Sequence, residues 1–305
     1  MDDKLLILGV TGSGKGRLAF ELAKELDGEI ISIDSMKVYR RMDIGTAKPP
    51  QQVREQVRYH LIDVIEPSES FSVGRFVELA QEAMEEIQGR GKRIIAVGGT
   101  ALYIKALLYG LFEGPGADEG VREELRRRAE HEGLEKLYQE LAEVDPAAAR
   151  RINGRDARRI IRGLEVYKLT GKPISSFQRQ FESGGPLEEW KLIGLRRDKA
   201  VERRRINARV KGMFEAGLVD EVRGLLGEEK PLSKQARCAI GYAEIINFLE
   251  GKISIEDAME LIKKNTRRFA KGQRTWFKRF EGVQWIDIKE EESTEEILQR
   301  VKKVE

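Results

Sequence analysis

The sequence predicts an α/β fold, a parallel-sheet core with an inserted all-helical domain, and three observations carry that reading. Over the first third of the chain, apolar runs that end in glycine alternate with amphipathic helical runs. From Glu119 to Phe177 the pattern is helical only, set off by the loose segments GPGAD and ESGGPLEE. Beyond them, WKLIGL (Trp190 to Leu195) reads as a strand returning to the sheet. Alternation of this kind builds parallel sheets with crossover helices. The expected division is a core of residues 1–112 and 190–305 and a helical insertion of residues 113–189.

The first element is LLILGVTGSGKGR, Leu5 to Arg17. An apolar run stops at Gly9, glycines recur at Gly12, Gly14 and Gly16, and a helix opens at Lys15 with Leu18, Ala19, Leu22, Ala23 and Leu26 at helical spacing. A glycine-rich turn between strand and helix aims backbone N–H groups and a helix N-terminus at one point, which suits a phosphate or diphosphate. Gly9, Gly14 and Lys15 match the GxxxxGK part of the P-loop pattern, while Gly16 stands where a Ser or Thr completes it. The segment Gly9, Val10, Thr11, Gly12, Ser13, Gly14, Lys15, Gly16 is the expected phosphate-binding loop; an ordinary glycine-rich strand-to-helix turn is the competing reading of the string alone.

EIISID (Glu29 to Asp34) is a second buried strand that delivers Asp34 and Ser35 at its C-terminal end, where open α/β sheets bind ligands. The following loop, MKVYRRMDIGTAKPP, has a length and charge mixture that point to function more than to packing. HLIDVI (His60 to Ile65) is a further strand candidate. SVGRFVELAQEAMEEIQGRG is a surface helix with Ser72 as N-cap, apolar positions from Phe76 to Ile87, and a stop at Gly89 or Gly91. RIIAVGGT (Arg93 to Thr100) repeats the theme of apolar strand, double glycine and hydroxyl, and ALYIKALLYGL continues as a helix. These elements together predict a P-loop NTPase-like parallel sheet core. Long helices over Lys199 to Ala216 and Ser254 to Phe280, and a last strand candidate VQWIDI, complete it.

Composition excludes several classes. With 305 residues, 40% hydrophobic and 35% charged, the chain is globular rather than disordered and has ample length for a core. Its one cysteine, Cys238, rules out an intramolecular disulfide and a cysteine metal cluster, and is expected to be a buried small apolar residue. Only His60 and His131 supply imidazoles, which argues against a His-rich metal site. No apolar run approaches the roughly 18 residues of a membrane span, and MDDKLLILGV enters a strand at once, unlike a targeting peptide. The expectation is a cytoplasmic monomer without a membrane partner.

The net charge is only +3, but its distribution is uneven. Arg150, Arg151, Arg155, Arg158, Arg159 and Arg162 meet one acid, Asp156, and the stretch from Lys263 to Phe280 has eight basic residues and no acid. On a helix, Lys264, Arg267, Lys271, Arg274 and Lys278 form one basic face, and Phe269, Trp276 and Phe280 fall on a separate, packing stripe. Such clusters are either solvated faces or a polyanion-binding surface whose affinity falls with salt. Nucleic acid is the leading partner.

At this point the chain resembles one family. IDSMKVYRRMDIGTAKP, VGGTALYIKALLYGL, RINGRDARRIIRGLEVYKLTGKPIS, RRRINARVKGMFEAGLVDEV, IGYAEI and TRRFAKGQRTWFKRF resemble, in order, the signature segments of the tRNA dimethylallyltransferases, which prenylate N6 of the adenine beside the anticodon. The resemblance implies dimethylallyl diphosphate as donor, the anticodon stem-loop of tRNA as acceptor and Mg2+ as cofactor. It implies that Gly9 to Gly16 hold the diphosphate, and that Thr11 or Ser13 serve the metal in place of the missing hydroxyl at Gly16. It makes Asp34 the catalytic base, against a capping or metal-liganding role. Thr100 becomes a hydrogen-bonding partner of the reacting groups, against a helix N-cap, and Arg209, ahead of Arg205, the arginine on the diphosphate. Asp34, Ser35, Met36, Lys37, Thr100, Arg122, Arg158, Arg159, Ile160, Ile161 and Arg162 fall in tRNA-contacting segments. Lys37 stands where the family has Gln, Ala101 replaces a glycine of GGTG, and Ala243 a basic residue of GYKE. Three other functions compete: adenylate isopentenyltransferase on free nucleotides, a P-loop kinase or ATPase, and a catalytically weak RNA-binding protein.

Overall fold

The computed structural model describes residues 4–111, 114–177 and 189–303. They divide into two compact units, one of Met1–Leu108 with Glu188–Glu305 and one of Tyr109–Leu187. The linker ESGGPLEE and the expected boundary at residue 113 lie almost wholly outside the described residues.

The first unit is built on six parallel strands. They are β1 (Lys4–Gly9), β2 (Gly28–Ile33), β3 (Tyr59–His60), β4 (Arg93–Gly98), β5 (Trp190–Arg197) and β6 (Gln284–Ile288), in the order β3-β2-β4-β1-β5-β6. The apolar runs of β1, β2 and β4 are buried on both faces, which is why they read as continuous rather than alternating. Gly98 is opposite both Leu8 and Ile33, so β1, β2 and β4 end on one level. Three loops therefore leave the sheet side by side.

Helices cover both faces. α1 (Lys15–Glu25) buries Leu18 and Leu22 against Ile7 and Ile95, and the last helix adds Ile297, Leu298 and Val301 to the same cluster. Each such side chain contributes about 1.5–3 kcal/mol. A short α2 (Gln51–Gln56) precedes β3, and α3 (Val73–Gly89) is capped by Ser72 Oγ, which accepts from Arg75 N. α4 (Ala101–Tyr109) brings Tyr103 into a stack with Phe76 at 4.3 Å.

Among its described residues the second unit holds only helices: α5 (Glu119–His131), α6 (Leu134–Val144), α7 (Pro146–Arg151), α8 (Ala157–Thr170) and α9 (Ile174–Phe177). Leu125, Leu137, Leu141, Ile160 and Leu164 form its core. Asp118, Asp145 and Asp156 cap three of these helices, and Gly171, at φ 68°, ends α8. The first unit then resumes with α10 (Lys199–Glu215), α11 (Leu218–Leu226), α12 (Lys234–Arg237), α13 (Tyr242–Leu249), α14 (Ile255–Phe277) and α15 (Thr294–Lys302).

Three expectations are corrected. Of HLIDVI only His60 is strand, because Leu61 (φ 61°) and Asp63 (φ 57°) turn the chain and Asp63 is drawn out of line by ion pairs with Lys48 and Arg54. Cys238 is exposed: it follows the short α12, whose turn points Ala236 and Ala239 inward. The two stripes of α14 are not one charged and one packed face. Arg267 and Arg274 turn toward α10, donating to Asn207 and pairing with Glu202, while Phe269 is 48% exposed. Among the described residues no helix is long and apolar enough to cross a membrane.

Candidate active site

The loops after β1, β2 and β4 surround a cavity of about 570 Å3. Its polar end carries Thr11, Lys15, Asp34, Lys37, Arg205 and Arg209, and its walls continue into Phe20, Val53, Tyr59, Ile62 and Val97. One ligand with an anionic head and a short apolar tail fits such a surface.

The glycine-rich loop takes the conformation its composition demands. Gly14, at φ 99°, is the N-cap of α1 in a region where a side chain is strained, so the free N–H groups of the first helical turn face the cavity. Lys15 Nζ lies 3.4 Å from Val10 O. Burial pushes its ammonium down to about 7, and the charges of Lys37 and Arg209 act in the same direction, with Asp34 opposing them. Of the two hydroxyls expected to serve a metal, Ser13 is fully buried, and a Cβ at Gly9 would meet its Oγ at 2.8 Å. Only Thr11 faces the cavity.

Asp34 ends β2 and folds its own loop. Its Oδ1 accepts from Met36 N at 2.9 Å and Lys37 N at 3.3 Å, and its other oxygen makes no hydrogen bond among the described residues. Thr100 Oγ1 accepts from Ser35 N at 3.1 Å, which ties the β4 turn to the β2 turn and leaves the hydroxyl proton free to donate. Thr100 stands at the N-terminus of α4, its carbonyl accepting from Tyr103 N and Ile104 N, and among the described residues no helical N–H donates to its hydroxyl.

The double glycine after β4 is a matter of space. A Cβ at Gly98 would sit 2.0 Å from Ile33 O, and one at Gly99 2.4 Å from Gln273 Nε2. Gln273, on the inward face of α14, accepts from Thr11 N at 2.9 Å and donates to Gly99 O at 2.8 Å. It bridges two loops of the site. Sequence reasoning missed it, although a polar residue three after Ala270 and four before Phe277 on a buried face was a visible signal. Gln273→Ala leaves a buried donor and acceptor unpaired; stability is expected to fall by about 1–3 kcal/mol, measured by denaturant titration.

Two arginines of α10 complete the polar end. Arg209 reaches Thr11 Oγ1 at 3.4 Å and Thr46 O at 3.5 Å, and burial pushes its guanidinium below its ordinary value. Arg205 is exposed at the rim and donates from Nε to Gly12 O at 2.8 Å. The loop that carries Thr46 is held by Glu221, whose carboxylate accepts from the N–H groups of Asp43, Ile44 and Gly45 and from the Tyr242 hydroxyl. Burial, with Glu221 beside it, holds that phenol far above its usual range.

The helical unit places its predicted residues differently from one another. Arg122 and Arg162 are consumed on Glu165, at 2.9 and 2.7 Å, and Arg162 also donates to Pro115 O and Gly116 O. Ile160 and Ile161, in the same tRNA-contacting segment, turn their side chains into the core. Arg158 and Arg159 are exposed, together with Arg150 and Arg155.

Among the described residues no three acids, histidines or cysteines cluster as a metal cage. Mg2+ is commonly held by one or two carboxylates, water and substrate phosphates rather than by a protein cage. Asp34 and Thr11, lining one cavity with the loop, fit that kind of site. β4 ends at Gly98 and is followed by Gly99 and Thr100, with no acid at that strand end.

Comparisons with known proteins agree with this geometry. The IPP transferase family model matches residues 37–280. A tRNA dimethylallyltransferase of Geobacter metallireducens is 46% identical over 283 residues, 93% of this chain and 92% of that protein. The crystal structure of the full-length tRNA isopentenylpyrophosphate transferase from Bacillus halodurans superposes with a TM-score of 0.71 at 38% identity, covering 99% of this chain and 96% of that one. A eukaryotic dimethylallyltransferase, described as acting on tRNA, gives a TM-score of 0.77 at 29% identity, over 93% of this chain and 74% of that one. With its level strand ends, glycine-rich loop and Asp34-bearing cavity, the chain belongs to the IPP transferase family.

Proposed function

We propose that the protein transfers the dimethylallyl group of dimethylallyl diphosphate to N6 of the adenosine adjacent to the anticodon of tRNA, giving N6-isopentenyladenosine. The observation that carries this reading is a cavity in which one carboxylate, Asp34, faces Lys15 and Arg209 and which continues into an apolar wall. The diphosphate lies on the glycine-rich loop, Lys15 and Arg209, with Arg205 at the rim, and the five-carbon chain lies on the apolar side.

The adenine amine is a weak nucleophile because its lone pair is delocalised into the ring. As N6 attacks C1 of the donor, the C–O bond breaks and its electron pair leaves with the diphosphate. The free oxygen of Asp34 takes the N6 proton. Thr100, its hydroxyl oriented by Ser35 N, donates to the reacting groups. Lys15 and Arg209 stabilise charge where it grows, on the departing oxygen. Mg2+, held by Thr11 and the diphosphate, would add neutralising charge there.

An adenine in a stacked loop must be turned out before it can react in a pocket. Phe269, exposed on a basic helix and lining the cavity, offers that base an aromatic face. Arg158 and Arg159 grip backbone phosphates. Replacing either by alanine is expected to weaken tRNA binding with little sequence dependence and to lower the salt slope by about 1, read by filter binding across salt concentrations. A free mononucleotide has no use for these arginines, which sets the adenylate reading second.

Mass spectrometry of digested tRNA tests the proposal. Incubation of the protein, Mg2+ and dimethylallyl diphosphate with unmodified tRNA is expected to add one C5 unit to a single adenosine. No added mass, with a functioning control enzyme, would refute it.

A further inference from the structure

Lys37 is the charge in the cavity that the protein leaves without a partner. Its backbone N–H is fixed by Asp34 Oδ1, yet its ammonium makes no hydrogen bond or ion pair among the described residues. Lys48, in the same loop region, shows the alternative: its ammonium is taken up by Asp43, Asp63 and Tyr39 O. An unpaired cation in an enclosed site is costly unless a ligand supplies the anion. Lys37 is also set among like charges. Lys15, Lys37, Arg205 and Arg209 face one carboxylate, Asp34, while Arg17 on the same wall is paired with Glu21. The cations outnumber the one carboxylate, which suits an anionic diphosphate ester.

The second observation concerns what the loop lacks. Gly16, in the first turn of α1, has no hydroxyl, and a Cβ built there meets nothing within 4 Å. Space for the usual Ser or Thr is present and unused. Of the remaining loop hydroxyls, Ser13 is buried and Thr11 alone faces the cavity. The protein ligands for a divalent ion are thus few at the place where an extra lysine stands.

We infer that Lys37 binds the diphosphate of the prenyl donor and supplies neutralisation that the P-loop hydroxyl and its metal would otherwise give, so that donor binding depends little on divalent metal. This rests on the donor site proposed above. It also assigns Lys37, which the resemblance placed in a tRNA-contacting segment, to the diphosphate side of the cavity.

Calorimetric binding of dimethylallyl diphosphate to the full-length protein, in EDTA and in saturating Mg2+, separates the possibilities. Wild-type protein is expected to bind in both media with Kd values within about threefold, and Lys37→Gln to lose about tenfold or more in EDTA and recover most of it with Mg2+. Gly16→Ser in the Lys37→Gln background is expected to deepen the recovery by Mg2+. Circular dichroism melts check that each variant is folded. A wild-type protein that requires Mg2+ as strongly as Lys37→Gln overturns the inference and leaves the proposed reaction standing. So does a Lys37→Gln variant that keeps its donor affinity in EDTA and loses only tRNA affinity. Absence of wild-type donor binding in either medium overturns the donor site itself, and the inference with it.

Discussion

Asp34→Asn is expected to lower the rate of prenyl transfer by about 10²–10⁴, the contribution of a well-placed general base, while leaving tRNA affinity and melting temperature close to wild type. The carboxylate has two tasks that this substitution separates. Oδ1 accepts from Met36 N and Lys37 N and so shapes the turn after β2; an asparagine oxygen keeps those bonds. The second oxygen, which has no partner among the described residues, is the one proposed to receive the N6 proton, and an amide cannot do so. Asp34→Ala removes both tasks, and its further loss of about 0.5–1.5 kcal/mol in stability per hydrogen bond measures the turn. Single-turnover kinetics with tRNA, beside binding and thermal melts, check the split. If Asn retains the wild-type rate, Asp34 is a turn residue and the base is another group.

The second large effect belongs to Lys15. Its replacement by alanine is expected to reduce kcat/KM for the prenyl donor by about 10²–10³, comparable with loss of a donor that stabilises a developing oxyanion. The pH dependence gives a sharper reading. In the free protein burial, with Lys37 and Arg209 nearby, brings Lys15 down to about 7, so above neutrality it is largely uncharged. A diphosphate favours the ammonium, and binding above pH 7 must therefore take up a proton. Donor affinity is expected to fall as pH rises through 7 and 8, by at most about tenfold per unit. Lys15→Ala removes the slope. The same depression affects stability with a definite sign. Between about 7 and 10.5 the unfolded chain binds a proton that the folded chain does not, so this group adds stability as pH rises across that window. Calorimetry in buffers of different ionisation enthalpy measures the proton uptake.

Local pattern was enough for the sheet and for the parts of the site that one segment builds. The apolar strands, the glycine-rich loop, Asp34 at a strand end and the double glycine before Thr100 each announce themselves within ten residues. What pattern could not show were the partners that arrive from far along the chain. Gln273 joins Thr11 to Gly99 across 262 and 174 residues, and Glu221 holds a loop 176–178 residues away. Charge counting had a related blind spot. It grouped Arg162 with Arg158 and Arg159, and the resemblance added Arg122, but buried Glu165 consumes Arg122 and Arg162 and leaves the others exposed. HLIDVI failed as a strand for the same reason, since Asp63 answers to Lys48 and Arg54 rather than to its apolar neighbours.

These placements change what the glycine-rich loop is for. A P-loop read alone implies transfer of phosphate from a nucleoside triphosphate. Beside Asp34, an apolar wall and no acid after β4, we read it as the holder of a leaving group, from which carbon is transferred and diphosphate departs. The stoichiometry of release tests that claim most directly. With tRNA and dimethylallyl diphosphate, one inorganic diphosphate is expected for each C5-modified adenosine, at the same rate and without consumption of ATP. Phosphate or ADP formed from ATP, with no diphosphate released from the prenyl donor, would contradict it.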